Sequence, residues 1–155
     1  MHRLHDDRRG ASIALTHVLI MGITAILVSG LLVGMSGMVD DQRERAIRNS
    51  LETIGERLAT ETSYVEEMSP RSSGVTLRVE HPRSVAGRTY AVGLRTDPSR
   101  CNGAPPCLRL HTDSPAVTVV VPVPLEVPVT DATVPGGDLR IVYDGRISIE
   151  EGHAA

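Results

Sequence analysis

The chain has 155 residues, room for one conventional domain plus a membrane segment and too few for two domains. All 16 basic residues are Arg, and Phe and Trp are absent, so Val, Ile and Leu must build any core, with Tyr64, Tyr90 and Tyr143 the sole aromatic residues. A net charge of −3, carried by interspersed rather than clustered charges, argues against nucleic acid as a partner, because that needs a basic face.

Residues 1–10 read as a short basic leader containing Arg3, Arg8 and Arg9. Residues 11–39, ASIALTHVLIMGITAILVSGLLVGMSGMV, then carry no Asp, Glu, Lys or Arg. Such a run exceeds the roughly 20 helical residues that cross a bilayer. A cleaved secretory signal would have an apolar stretch of only about 7–15 residues followed by a small-residue cleavage site. Arg8-Arg9 matches a twin-arginine export signal only in the pair, since Gly10-Ala11-Ser12 lacks the bulky apolar residue usual there. The expectation is therefore a retained transmembrane helix, with the lipid bilayer as its first partner. Within it Gly30 and Gly34 form a Gly-xxx-Gly pair, and Gly22, Ala25, Ser29 and Gly37 add small residues. Small residues let helix backbones approach closely in lipid, so Gly30 and Gly34 are the expected association positions. His17 lies near the leader end, where it can stay neutral and reach the interface.

Charge does not decide the orientation, because Arg3, Arg8 and Arg9 are balanced by Arg43, Arg45 and Arg48 beyond the run. Long C-terminal domains cross largely regardless of charge. In addition, Cys101 and Cys107 enclose Asn-Gly-Ala-Pro-Pro, a turn-forming loop that suits a disulfide, and such a bond persists in oxidising compartments. No second Cys or His pair at ligand spacing supports a zinc site instead. Both arguments place the C-terminal domain outside the cell membrane.

Arg9-Gly10-Ala11-Ser12, directly before the apolar run, resembles the class III signal sequence of archaeal type IV pilin-like proteins, which a prepilin-type peptidase cuts after the Gly. The resemblance covers about the first third of the chain. It implies processing at Arg9, Gly10 and Ala11, with Ala11 as the mature N-terminus. It also implies a helix that anchors first and later packs against other pilin-like subunits in a surface filament, with a β-rich head outside. Many bacterial pilins carry Glu at the fifth mature position, which here is Leu15, and no acidic residue follows until Asp40. Archaeal relatives often lack that Glu, and its absence leaves open a subunit that does not polymerise alone. The Lys-free, all-Arg basic set fits a GC-rich genome such as a haloarchaeal one, although the acidic content is modest for a halophilic surface.

Residues 40–69 change character: Ile47, Leu51, Ile54, Leu58, Val65 and Met68 recur at three-, four- or seven-residue intervals, one apolar stripe on a helix. Arg45, Arg48, Glu52, Glu56 and Arg57 form its solvated side. The stripe either covers the protein's own head or makes a coiled-coil seam, for which about three heptads is short. No Pro or strong cap separates this helix from the membrane helix, and Gly37 is the weakest point of the junction. Ser69-Pro70-Arg71-Ser72-Ser73-Gly74 ends the pattern.

Residues 74–150 read as a β-rich head, with 151–155 a tail. Val75, Leu77 and Val79, then Tyr90, Val92 and Leu94, then Leu108 and Leu110, alternate with polar residues as half-buried strands do. Residues 117–129 are β-branched but hold Pro122, Pro124 and Pro128, so they end as an edge strand or extended connection. A two-residue Asp144-Gly145 turn would put Ile141 opposite Ser148. The loop Tyr143-Asp144-Gly145 instead pairs Ile141 with Ile147 and Leu139 with Ile149, and is the one expected.

The fold class is thus α+β: a long N-terminal transmembrane helix continuing into an amphipathic one, then a small antiparallel β-sheet or sandwich domain. No phosphate loop, His-Glu-x-x-His, nucleophile elbow or acidic calcium loop appears, so neither an enzyme nor a cofactor or metal is expected. His81, His111 and His153 read as scattered surface residues, and Asp131, Asp138 and Asp144 as turn residues. The leading function is a pilin-like cell-surface subunit that assembles through its N-terminal helix. The alternative is a monomeric, single-pass membrane-anchored binding module of the envelope.

Overall fold

A computed structural model describes residues 6–69 and 74–152, with side chains from residue 14 onward except 35 and 36. The first element, α1 (Asp6–Met68), is one unbroken helix that passes through Gly37 without a break. No Pro interrupts its backbone donors, so an isolated Gly lowers helix preference by only about 1 kcal/mol and is carried by its neighbours. The chain divides into two compact units, Met1–Gln42 and Arg43–Ala155.

In the second unit the last part of α1 packs on two antiparallel sheets. One has the order β1-β8-β9, built from β1 (Val75–Val79), β8 (Leu139–Tyr143) and β9 (Ile147–Glu151). The other has the order β6-β5-β4-β7, built from β4 (Ala91–Arg95), β5 (Cys107–Asp113), β6 (Ala116–Pro122) and β7 (Ala132–Pro135). A small hairpin joins β2 (Ser84–Val85) to β3 (Arg88–Thr89).

The helical stripe covers the protein's own head and is not a coiled-coil seam. Ile47, Leu51, Leu58 and Val65 are fully buried in one cluster with Val92, Leu94, Leu108 and Leu110 of one sheet and Leu139, Ile141, Ile147 and Ile149 of the other. Each such side chain stabilises the fold by about 1.5–3 kcal/mol relative to exposure. Arg45, Arg48, Glu52, Glu56 and Arg57 are exposed on the opposite side, with Arg48 paired to Glu44 at 3.2 Å. Two positions outside the apolar pattern complete the buried face. Thr62 satisfies its hydroxyl on the Leu58 carbonyl at 2.7 Å, and Gly55 sits where a Cβ would come within 2.7 Å of Val121 and 3.0 Å of Leu110. Glycine at 55 therefore sets how closely helix and sheet approach.

β6 is an edge strand that ends at Pro122, after which the chain runs extended beside β9 through a single parallel bridge, Val129 to Ile147. Prolines at 122, 124 and 128 cannot donate to a ladder, so other groups hold this segment. The Glu66 carboxylate accepts the N–H groups of Glu126 and Val127 at 2.7 and 2.8 Å, and the Pro128 carbonyl accepts that of Ile147 at 2.9 Å.

The final hairpin corrects the expected loop by one residue. Asp144-Gly145-Arg146 connects the strands, so Tyr143 faces Ile147, Ile141 faces Ile149 and Leu139 faces Glu151. A two-residue slip in register keeps every side chain on its face, so alternation alone does not distinguish the two arrangements. The turn does: Gly145, at the centre of the loop, takes φ +94°, and this register aligns Arg140 with Glu150, whose side chains pair at 2.8 Å. β9 also runs to Glu151, one residue past the expected end of the head.

Candidate functional site

Every described side chain from residue 14 to residue 42 is exposed. Leu19, Leu27 and Val33 are 56%, 62% and 76% accessible, values that a stable helix in water does not sustain over eight turns of apolar surface. The polar groups in this run are satisfied inside the helix. Thr24 donates to the Ile20 carbonyl at 2.8 Å and Ser29 to the Ala25 carbonyl at 2.7 Å, which removes the cost of taking their hydroxyls into hydrocarbon. This is a helix long and apolar enough to cross a membrane, and the one such helix among the described residues.

Its small residues fall on two faces. At about 100° per residue, Gly30, Gly34 and Gly37 lie within about 60° of one another, as do Gly22, Ala25 and Ser29, with the two groups about 110° apart. A Cβ placed on Gly22, Gly30, Gly34 or Gly37 would meet nothing within 4 Å. A shallow groove lined by Ile20, Met21, Thr24, Ala25, Val28 and Ser29 follows the second face. Gly30 and Gly34, the expected association pair, thus share one face, and the second face was not separated from it by spacing alone. Arg9, Gly10 and Ala11 lie in the first turns of α1, and their side chains are outside the described ones. His153 also lies outside the described residues.

In the head, Cys101 and Cys107 form the expected disulfide, with Cα atoms 5.5 Å apart and both residues buried. The enclosed loop is held by its own backbone, Gly103 N–H donating to the Pro98 carbonyl at 3.0 Å and Ala104 N–H to that of Cys101 at 3.0 Å. Before it, Asp97 accepts the hydroxyl and the N–H of Ser99 at 2.8 and 2.9 Å, and these bonds, with Arg100 nearby, hold its carboxyl below the usual carboxylate value.

His81 is not a surface residue. Its side chain is 1% exposed, and Nε2 meets Glu61 Oε2 at 3.1 Å while Arg57 holds the other carboxylate oxygen at 3.0 Å. The partner lies on α1, twenty residues earlier in the chain, a distance that spacing arguments do not bridge. His111 is half-buried, bonded to Thr118 Oγ1 at 2.8 Å and Asp113 at 3.1 Å. Asp131 accepts the N–H and hydroxyl of Thr96, and Asp138 pairs with Arg83 at 3.5 Å. Tyr90 is buried beneath Gly136 and donates to the Pro82 carbonyl at 2.8 Å; burial pushes its phenol above the ordinary value, with a backbone bond from Gly137 acting the other way. Among the described residues no three His, Cys, Asp or Glu side chains are grouped to hold a metal ion.

These features define a class of chain in which a single N-terminal helix of membrane-spanning length precedes a small antiparallel β-rich head. The chain belongs to a family of unknown function, DUF7266, which matches residues 6–150 and so takes in helix and head together. No curated protein and no solved structure matches it.

Proposed function

We propose that this protein is a pilin-like cell-surface subunit that assembles through its N-terminal helix and displays its β-rich head outside the cell membrane. In this reading a prepilin-type peptidase cuts between Gly10 and Ala11, and the helix of residues 11–39 rests in the bilayer before packing against other pilin-like subunits. The observation that carries it is a charge-free helix, exposed on every described side, directly behind Arg9-Gly10-Ala11. Its two small-residue faces suit close helix neighbours. The buried disulfide supports an outside head, since such a bond persists where thiols are not kept reduced.

Mass spectrometry of the protein recovered from its native host is the direct test. The expected N-terminal peptide begins at Ala11; a retained leader of residues 1–10 overturns the reading. Crosslinking on intact cells separates the alternative, because an anchored, monomeric binding module gives no adducts between subunits.

A further inference from the structure

We infer that the outer face of the four-stranded sheet is a binding site for an acidic sugar, its carboxylate held by Arg109. This assignment concerns the head alone and does not depend on cleavage or assembly of the helix.

The register builds the site. Leu94, Leu108, Leu110 and Val119 turn toward α1, so alternation sends Gly93, Arg95, Arg109, His111 and Thr118 to the opposite face. Gly93 stands directly across from Arg109, and Val120 is its neighbour on the other side. Having no side chain, Gly93 lets the Arg95 guanidinium lie over it, 3.4 Å from where a Cβ would stand, and beside them Ala91, Arg109, His111 and Thr133 bound a hollow of about 120 Å³.

The cations around this hollow differ in what they already hold. Arg95 donates to Thr133 Oγ1 and to the Ala132 carbonyl, which fixes its guanidinium against Gly93. Arg100 pairs with Asp97 at 3.8 Å, and the His111 ring is pinned between Thr118 and Asp113. Arg109 is half-buried on a central strand, and its side chain makes no hydrogen bond or ion pair with any described residue. Its guanidinium is thus left to solvent or to a ligand, and the planar fork matches a carboxylate through two parallel bonds.

The rest of the ligand follows from the second hollow. Arg109 also lines an adjoining, wider space of about 550 Å³ bounded by Ser99, Arg100, Asn102, Thr118 and Val120. Its wall offers hydroxyl and amide groups and no aromatic ring, which suits a hydroxyl-rich body better than an apolar one. A carboxylate in the small hollow and sugar hydroxyls over the polar one satisfy both.

The test is calorimetric titration of the full chain in detergent micelles with D-glucuronate, D-glucose, acetate and sulfate at constant ionic strength. Two or three charge-assisted hydrogen bonds support roughly millimolar affinity for glucuronate. Acetate and glucose are each expected to bind at least about tenfold more weakly, and Arg109→Gln to weaken glucuronate by at least about tenfold, or about 1.4 kcal/mol. Arg109→Lys keeps the charge but not the fork and is expected to fall between, while Arg88→Gln, on the separate hairpin, changes nothing. Gly93→Ala, whose methyl would press on the Arg95 guanidinium at 3.4 Å and narrow the hollow while leaving Arg109 in place, guards against a misfolded Arg109 variant and is also expected to weaken binding. Absent saturation by glucuronate, equal binding of glucose, acetate or sulfate, or an unchanged Arg109→Gln each overturn the assignment.

Discussion

Replacing Gly55 by Ala sets two effects of known sign against each other. On an exposed helix the change stabilises by about 0.8–1.0 kcal/mol, because Ala is the better helix former. At Gly55 the new methyl would lie 2.7 Å from Val121 Cγ2 and 3.0 Å from Leu110 Cδ1. Val121 is β-branched and stiff about χ1, and Leu110 is fully buried, so neither moves at small cost; overpacking of this kind costs about 1–3 kcal/mol. The balance is a destabilisation of about 1 kcal/mol, which for a head of this size lowers Tm by roughly 4 °C. Thermal unfolding followed by circular dichroism measures it. The cause is tested by a double-mutant cycle with Val121→Ala, which removes the methyl in the way. In that background Gly55→Ala is expected to become neutral or stabilising. An equal effect in both backgrounds, or a stabilising one in the native sequence, would refute close approach at Gly55.

Four other outcomes follow from the same structure. Unreduced protein is expected to give no thiol labelling at Cys101 or Cys107, and Cys101→Ser with Cys107→Ser to cost the head about 2–3 kcal/mol in denaturant unfolding. Tyr90 has a phenol raised above 10.0 by burial, so its contribution to stability is complete below about pH 10 and is lost as pH rises through the folded value; phenolate absorbance should show one late-titrating group, absent in Tyr90→Phe. His81→Ala leaves Glu61 without its buried partner and is expected to cost about 1–3 kcal/mol, with His81→Gln recovering part of it, both read by thermal unfolding. Gly30→Leu with Gly34→Leu is expected to keep the protein in the membrane fraction while reducing subunit crosslinks, since interhelical contacts in lipid are worth on the order of 1 kcal/mol each.

The features legible from sequence are those set by periodicity within one element. The charge-free run, the stripe from Ile47 to Val65 and the alternation in β1, β4 and β5 each repeat a local geometry, and each has its counterpart in the fold. What escaped depends on partners distant in the chain. His81 is buried because Glu61 waits on α1, and Gly55 and Thr62 belong to the buried stripe because of what the sheet places opposite them. β7 carries little sequence signal, since Ala132–Pro135 is short, ends in Pro and has only one large apolar residue; it is an edge strand, where Pro is tolerated. The register of the final hairpin lies two positions from the one the sequence suggests, a shift that keeps every side chain on its face and that alternation therefore does not detect. In the sequence Arg109 and His111 are the polar half of a strand, and the hollow beside them is bounded by Gly93 and Arg95 of a different strand, which only the register brings across from Arg109.

The two small-residue faces of the membrane-length helix bear on how many neighbours it takes. A symmetric pair of helices buries one face of each, and the other face then stays against lipid, where small residues contribute little contact. Heterologous contacts join two different faces of the same chain and continue into rings or filaments. The face of Gly30, Gly34 and Gly37 and the face of Gly22, Ala25 and Ser29, about 110° apart, suit the second arrangement. Substituting each face separately distinguishes them. In a filament, Ala25→Leu with Ser29→Leu is expected to reduce crosslinked assemblies as strongly as Gly30→Leu with Gly34→Leu, because each pair breaks one side of every contact. In a dimer only one pair matters, and the crosslinked ladder stops at two subunits in the native sequence as well. Loss from one face alone, with a ladder ending at two, would therefore replace a filament subunit with a paired membrane anchor.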